Sequence, residues 1–403
     1  MSKNIYLKNN IDSSYFNKSS HSKDRIKLNS FINNILLSVD KNEDVFHSFR
    51  KNFDFNFKYS ELIKFNKYKS IILIGMGGSA LGAKAIYFFC KQKIKKNFIF
   101  FDNLDQLKIE KIKKNINLKN SLFIIISKSG NTLETLINSN LFKDKINNKN
   151  AIIITEKKTN LLNTFAKNKK ILVIEHKDYI GGRYSVLSEV GMIPAYFMGL
   201  KIKSFRKNLL SFFNSKEKNL FLNSIIKLSH IYKSKKINSI ILLNYSPEIN
   251  AFLYWCQQLI AESLGKKGKG MLPIVSPAPR DHHSLLQLYL DGPKDKLFYI
   301  FSLKLKKKMR INKNIFGNFF SYAENKDFSK AKEAQKNALI HVLKSKNIPY
   351  QEFIINKKNE ETLGELFSYF IMETVLTGKL IGVNPFGQPA VEKVKILTKK
   401  YLS

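Results

Sequence analysis

At 403 residues and 44% hydrophobic content, the chain is long enough for two or three domains with ordinary globular cores. No run of about 18 apolar residues occurs, which argues against a membrane span, and the polar start MSKNIYLKNNIDSSYF lacks the apolar core of a secretory signal. The net charge of +38 would ordinarily point to nucleic acid, but the cations are nearly all lysines spread along the chain, with arginine only at 25, 50, 183, 206, 280 and 310. The charge therefore reads as compositional, with no nucleic-acid partner, although a positive field favours anionic substrates.

In chain order, residues 1–45 read as an N-terminal extension with one weak helical pattern at Ile26–Leu37. An alternation of strands and helices then begins. Ser70–Ile74 (SIILI), Phe98–Asp102, Ser121–Ile126 (SLFIII), Ala151–Thr155 (AIIIT) and Ile171–Glu175 are short apolar runs that read as buried strands. Ala80–Cys90, Thr132–Leu141 and Leu161–Ala166 read as the helices between them. A second alternation comes next, with strands at Asn238–Asn244, Lys296–Lys304 and Tyr350–Ile355 and helices at Ile249–Leu264, Ser329–Lys346 and Thr362–Leu376. Gly268–Pro279 and the stretch around Lys306–Asn318 read as loops or arms. Strands alternating with helices imply an α/β fold with parallel sheets covered on both faces. The expected division is 1–45, 46–205, 206–376 and 377–403, two α/β domains between an N-terminal extension and a C-terminal segment. The two cysteines, Cys90 and Cys256, lie in apolar or aromatic surroundings and read as reduced core thiols, which suits a cytoplasmic location.

Two strand ends carry chemistry. Gly75-Met-Gly77-Gly78-Ser79 follows a strand and opens a helix, where glycines let the backbone approach an anion held by the helix N-terminus. Alone it also fits a dinucleotide fingerprint, with Gly75, Gly77, Ala80 and an acidic Asp102 at the next strand end, so a redox enzyme is a rival reading. The next strand weighs against it. Ser127-Lys128-Ser129-Gly130-Asn131-Thr132 places three hydroxyls, a lysine and a glycine around a helix start, a cup of donors suited to phosphate. A plain helix cap would need one hydroxyl.

Together with GGRYSVLS at 181–188, QQLIAESLGKKGKG at 257–270, DHHSLLQLYLDGP at 281–293 and NPFGQPAVEKVK at 384–395, these motifs resemble the sugar isomerase (SIS) fold, and within it the phosphoglucose isomerases, in their short bacterial and archaeal form. The resemblance spans about residues 70–395. It implies two doubly wound, SIS-type α/β units with helical extensions at both ends. It also implies reversible isomerisation of glucose 6-phosphate and fructose 6-phosphate, a step of glycolysis and gluconeogenesis, without a cofactor or metal. Residue by residue, it makes Ser127, Ser129 and Thr132 phosphate ligands, with Lys128 adding charge, and Gly78 and Ser79 the loop that lines the sugar. Arg183 becomes the cation for the enediolate, Glu262 the general base, His283 the ring opener, Lys395 its helper at the ring oxygen, and Gln388 a group orienting the sugar chain. The family pattern further implies a homodimer with shared active sites, His283 coming from the partner subunit.

Each residue also has a plainer reading. Glu262 could be a salt-bridging helix carboxylate, Arg183 a turn residue pairing with Glu189, and one of the adjacent His282 and His283 structural. Three positions depart from the family pattern: His282, Gly387 and Ala390. Two further rivals share the fold: an isomerase that also accepts mannose 6-phosphate, and a non-catalytic sugar-phosphate sensor, which should lack Glu262 and His283.

Overall fold

The computed structural model describes all residues except 1–3, 12–14, 16–17, 42, 214–216, 305–308 and 313–314. The arm read around Lys306–Asn318 therefore lies partly outside the described residues, at 306–308, 313 and 314.

Among the described residues, ten strands form two five-stranded sheets. In the first, β2 (Ser70–Gly75), β3 (Asn97–Phe101), β4 (Ser121–Ile126), β5 (Ala151–Thr155) and β6 (Leu172–Glu175) are parallel in the order β3-β2-β4-β5-β6. In the second, β7 (Ser239–Asn244), β8 (Leu272–Pro277), β9 (Lys296–Leu303) and β10 (Tyr350–Ile355) are parallel, and β1 (Ile5–Asn10) runs antiparallel along β10, giving β1-β10-β9-β7-β8.

The continuous apolar runs arise because both faces of each sheet are covered. On β2, Ile71 and Leu73 face a core shared by the two sheets, while Ile72 and Ile74 face an outer cluster with Phe101, Ile109 and Phe142. On β9, Leu297, Tyr299 and Phe301 point into the shared core, and Phe298 and Ile300 point outward with Leu339 and Leu343. The helices Gly78–Cys90, Asn250–Leu264 and Glu360–Leu380 contribute to the shared core, and the last is buried along nearly its whole length.

The expected α/β fold with two parallel sheets is the observed one. Two elements differ from expectation. The stretch read as the loop Gly268–Pro279 contains β8, an edge strand whose prolines at 273 and 277, following glycines at 268 and 270, resemble a turn by composition. The N-terminal extension, read as helical, has its helix at Lys18–Val39 but also supplies β1, whose alternating Ile5 and Leu7 are buried.

Candidate active site

In the first sheet the chain crosses from β3 on one side of β2 to β4 on the other, so the loops following β2 and β4 diverge and leave a crevice at their carboxyl ends. A cavity of ≈ 780 Å³ opens there. Its wall includes Gly78, Ser79, Lys128, Ser129, Thr132, Arg183, Glu262, Gln388 and Lys395, nine of the eleven residues singled out from the sequence.

The hydroxyl cup follows β4. Ser127 and Thr132 are joined hydroxyl to hydroxyl at 2.8 Å, and Ser129 Oγ accepts from the Asn131 amide at 3.3 Å. Thr132 stands at the N-cap of the Leu133–Asn140 helix, yet its side chain makes no cap hydrogen bond. The plain helix-cap reading is therefore not how this hydroxyl is used. Ser127 is buried beneath the cup and does not line the cavity itself. Gly130 has φ +67°, and a Cβ there would lie 2.0 Å from Asn160 Oδ1, so the loop requires glycine. The Lys128 ammonium donates to the Asp178 carbonyl at 2.5 Å and lies 3.6 Å from Glu156 Oε1, so its charge is already engaged in this state.

The facing wall comes from Met76 and Gly77 with the first residues of the Gly78–Cys90 helix, and from the GGRYS turn, Gly182–Leu187. They touch: a Cβ on Gly78 would lie 2.2 Å from the Gly182 carbonyl oxygen. Arg183 is buried, and its guanidinium makes five bonds. Nε donates to Ser263 Oγ (2.8 Å), Nη1 to Glu262 Oε2 (3.0 Å) and Gln388 Oε1 (3.1 Å), and Nη2 to the carbonyls of Pro385 (2.6 Å) and Gly387 (3.1 Å). Its partner is thus Glu262 and not Glu189, which instead accepts from the Asn56 amide at 2.9 Å. Glu262 projects from the Asn250–Leu264 helix with its side chain 35% exposed, open to a ligand but shielded on one side. Its second oxygen, Oε1, accepts from Gln258 Nε2 at 2.8 Å.

Lys395 reaches the cavity rim from the helix Glu392–Leu402 and pairs with Glu392 at 2.7 Å. His283 is the exception: it is exposed in the short turn Arg280–His283 and does not line this cavity. Its neighbour His282 is the structural member of the pair, its Nε2 2.8 Å from the Tyr245 hydroxyl, while Asp281 anchors the turn by accepting from Ser276 Oγ at 2.9 Å.

Sequence reading missed Gln258, Glu134 and Glu156, which also line the cavity. Gln258 was legible, since it precedes Glu262 by four residues on one helix and therefore shares its face. Glu156 was not, because nothing local shows that the end of β5 borders the cup. Asp102, the acidic residue of the dinucleotide reading, is bound by Lys84 at 2.6 Å and lies in the wall of a separate groove.

Comparison with known proteins agrees with this geometry. The profile of the phosphoglucose isomerase family matches residues 32–403. The glucose-6-phosphate isomerase of Methanocaldococcus jannaschii is 33% identical over 350 residues, covering 84% of each chain. That of Campylobacter jejuni is 32% identical over 355 residues, covering 83% of this chain and 86% of its own. Among solved structures, a hypothetical protein from Thermus thermophilus superposes with a TM-score of 0.86 at 23% identity, covering 99% of this chain and all of its own, a likeness of fold. A cavity that faces a carboxylate and an arginine toward a hydroxyl cup, on a chain matched by that profile over most of its length, leads to one assignment: the chain belongs to the phosphoglucose isomerase family.

Proposed function

We propose that the protein interconverts D-glucose 6-phosphate and D-fructose 6-phosphate in the ≈ 780 Å³ cavity. The observation that carries the reading is the opposition of Glu262 and Arg183 to the Ser129–Thr132 cup across one cavity. The cup takes the phosphate and fixes the far end of the sugar. The ring opens as His283 gives a proton to the ring oxygen, with Lys395 beside it, while the bond from that oxygen to the anomeric carbon breaks and the anomeric hydroxyl releases its proton to solvent. Glu262 removes the proton from C2, Arg183 stabilises the oxyanion of the resulting cis-enediolate, the hydroxyl proton passes from O2 to O1, and Glu262 returns its proton to C1. Gln258 and Gln388, both on the cavity wall, hold the carboxylate and the guanidinium in register.

In this reading the active unit is a homodimer. His283 lies on the surface away from its own cavity, and a groove of ≈ 800 Å³ beside that cavity shares Gln258 and Glu262 with it. The groove exposes Phe88 and Tyr254, an apolar face that a second copy would cover in this reading. Residues 46–205 and 206–376 act as the two α/β domains, with 377–403 completing the site. A cytoplasmic setting suits the buried, reduced thiols; burial pushes Cys90 up to about 12.

The test is a coupled assay with fructose 6-phosphate and glucose-6-phosphate dehydrogenase, with and without EDTA. Turnover insensitive to EDTA is expected. Sugar-phosphate binding without turnover would move the protein to the sensor class. Equal turnover of mannose 6-phosphate would make it a dual isomerase.

A further inference from the structure

Four successive main-chain carbonyls, Asn384 to Gly387, are each held by a side chain from elsewhere in the chain. Lys266 Nζ donates to Asn384 O and Phe386 O, both at 2.8 Å. Arg183 Nη2 takes the alternate pair, Pro385 O and Gly387 O, and the Tyr184 hydroxyl adds a bond to Pro385 O at 2.8 Å. The Phe386 ring packs against Tyr184 at 5.5 Å, and Gly387 turns the chain with φ +68°, which accounts for glycine at this departure from the family pattern.

Beyond Gln388, whose Oε1 Arg183 also holds, the chain is held less firmly. The helix Glu392–Leu402 buries none of its residues, although Lys395 on it forms part of the cavity rim. The place of Lys395 is therefore set by the last firmly held residues before it. Lys266 is half-buried, does not line the cavity, and lies four residues after Glu262, just past the end of the base's own helix. We infer that Lys266 is a positioning residue which, with Arg183, clamps the 384–387 carbonyls and so sets Lys395 relative to Glu262. The clamp rests on the isomerase reading of the site. It has an electrostatic cost: burial first, then the neighbouring Arg183, lowers the Lys266 ammonium from its ordinary value, with Glu262 opposing. Four carbonyl dipoles facing two cations offset that cost.

The experiment is a double-mutant cycle in the fructose 6-phosphate assay, with Lys266→Met, Lys395→Met, the double variant, and Lys266→Arg. Lys266→Met is expected to lower kcat between about 10- and 100-fold, as for a catalytic group displaced by about 1 Å. The inhibition constant for inorganic phosphate, read by the cup that Lys266 does not touch, should stay within about threefold. Lys266→Arg should restore most of kcat. In the Lys395→Met background, Lys266→Met should cost less than about twofold more. An unchanged kcat in Lys266→Met, or losses from Lys266 and Lys395 that multiply in the double variant, would overturn the clamp. Should Lys266→Met lose stability, thermal melting identifies it, and Lys266→Arg against wild type, assayed well below both midpoints, still reads the geometry: a kcat below one-tenth of wild type for this charge-preserving variant would count against the clamp. A wild-type protein without turnover would remove the isomerase reading and the clamp with it, whereas an active wild type with an indifferent Lys266→Met removes the clamp alone.

Discussion

Arg183 Nη1 stands 3.0 Å from Glu262 Oε2, so in the proposed reaction the cation for the intermediate is already bound to the base. A fixed cation beside the carboxylate needs no reorganisation as charge develops on the substrate oxygens. Replacing Glu262 by Gln keeps the volume and the bond to Arg183 but removes the proton acceptor. The expected result is a fall in kcat of about 10²- to 10⁴-fold, with calorimetric affinity for a phosphorylated sugar acid nearly unchanged. Turnover close to wild type would take the base role away from Glu262.

The cup makes a different prediction because in the proposed reaction it binds the phosphate and does not react. Ser129 and Thr132 line the cavity, and neither hydroxyl caps the Leu133–Asn140 helix. Ser129→Ala and Thr132→Ala should each raise KM at least about tenfold, the worth of a hydrogen bond to a charged group, with kcat far less affected. If inorganic phosphate inhibited both variants as well as it inhibits wild type, the cup would be only a structural turn.

How much of this was legible in the sequence depends on how local the cause is. β4 and the cup could be read because an uninterrupted apolar run and the hydroxyls after it are both local signals. The Arg183–Glu262 pair was not legible from spacing, since the two residues lie 79 positions apart and Glu189 was the nearer carboxylate; resemblance to a family singled out each residue, and the structure brings them together. β1 and β8 escaped for different reasons: both are edge strands, but polar β1 is recruited by β10 near the other end of the chain, whereas β8 pairs with the preceding strand β7 and is masked by its prolines. Lys266 looked like one lysine among dozens until the 384–387 carbonyls were seen around it.

Gly78 tests whether the two cavity walls must touch. A methyl group there would meet the Gly182 carbonyl oxygen at 2.2 Å and the Arg183 amide nitrogen at 2.7 Å, both main-chain atoms that cannot rotate away. Gly78→Ala should therefore displace the turn that carries Arg183 and lower kcat/KM by about 100-fold, while circular dichroism stays that of the wild type. Activity within about threefold of wild type would mean that the turn absorbs the shift without moving the guanidinium.

The origin of His283 can be settled by complementation. Glu262→Gln and His283→Ala should each be nearly inactive alone. If each site takes its histidine from the partner, a heterodimer of the two holds one intact site, and an equal mixture unfolded and refolded together should regain about a quarter of wild-type activity. No recovery in a mixture shown to contain heterodimer would place His283 in its own subunit's chemistry or outside it altogether.

Glu373 supplies a prediction on stability. It is buried on the long helix Glu360–Leu380, where it accepts from the hydroxyls of Tyr299 (3.1 Å) and Tyr369 (3.2 Å), with Cys256 and Tyr232 nearby. Burial raises its carboxyl from 4.5 to about 7 despite both hydrogen bonds. A folded value above the unfolded one means that the native state holds the proton longer. The associated stability is complete below about 4.5 and is lost as pH rises to about 7, amounting to roughly 3 kcal/mol at most. His176, buried and lowered to about 4, acts in the opposite sense below about 6.5, so the wild-type curve alone mixes the two. The readout is the difference between wild type and Glu373→Gln in urea unfolding at pH 5 and pH 8. The variant should gain on wild type as pH rises, and a difference independent of pH would show that Glu373 keeps its ordinary ionisation within the core.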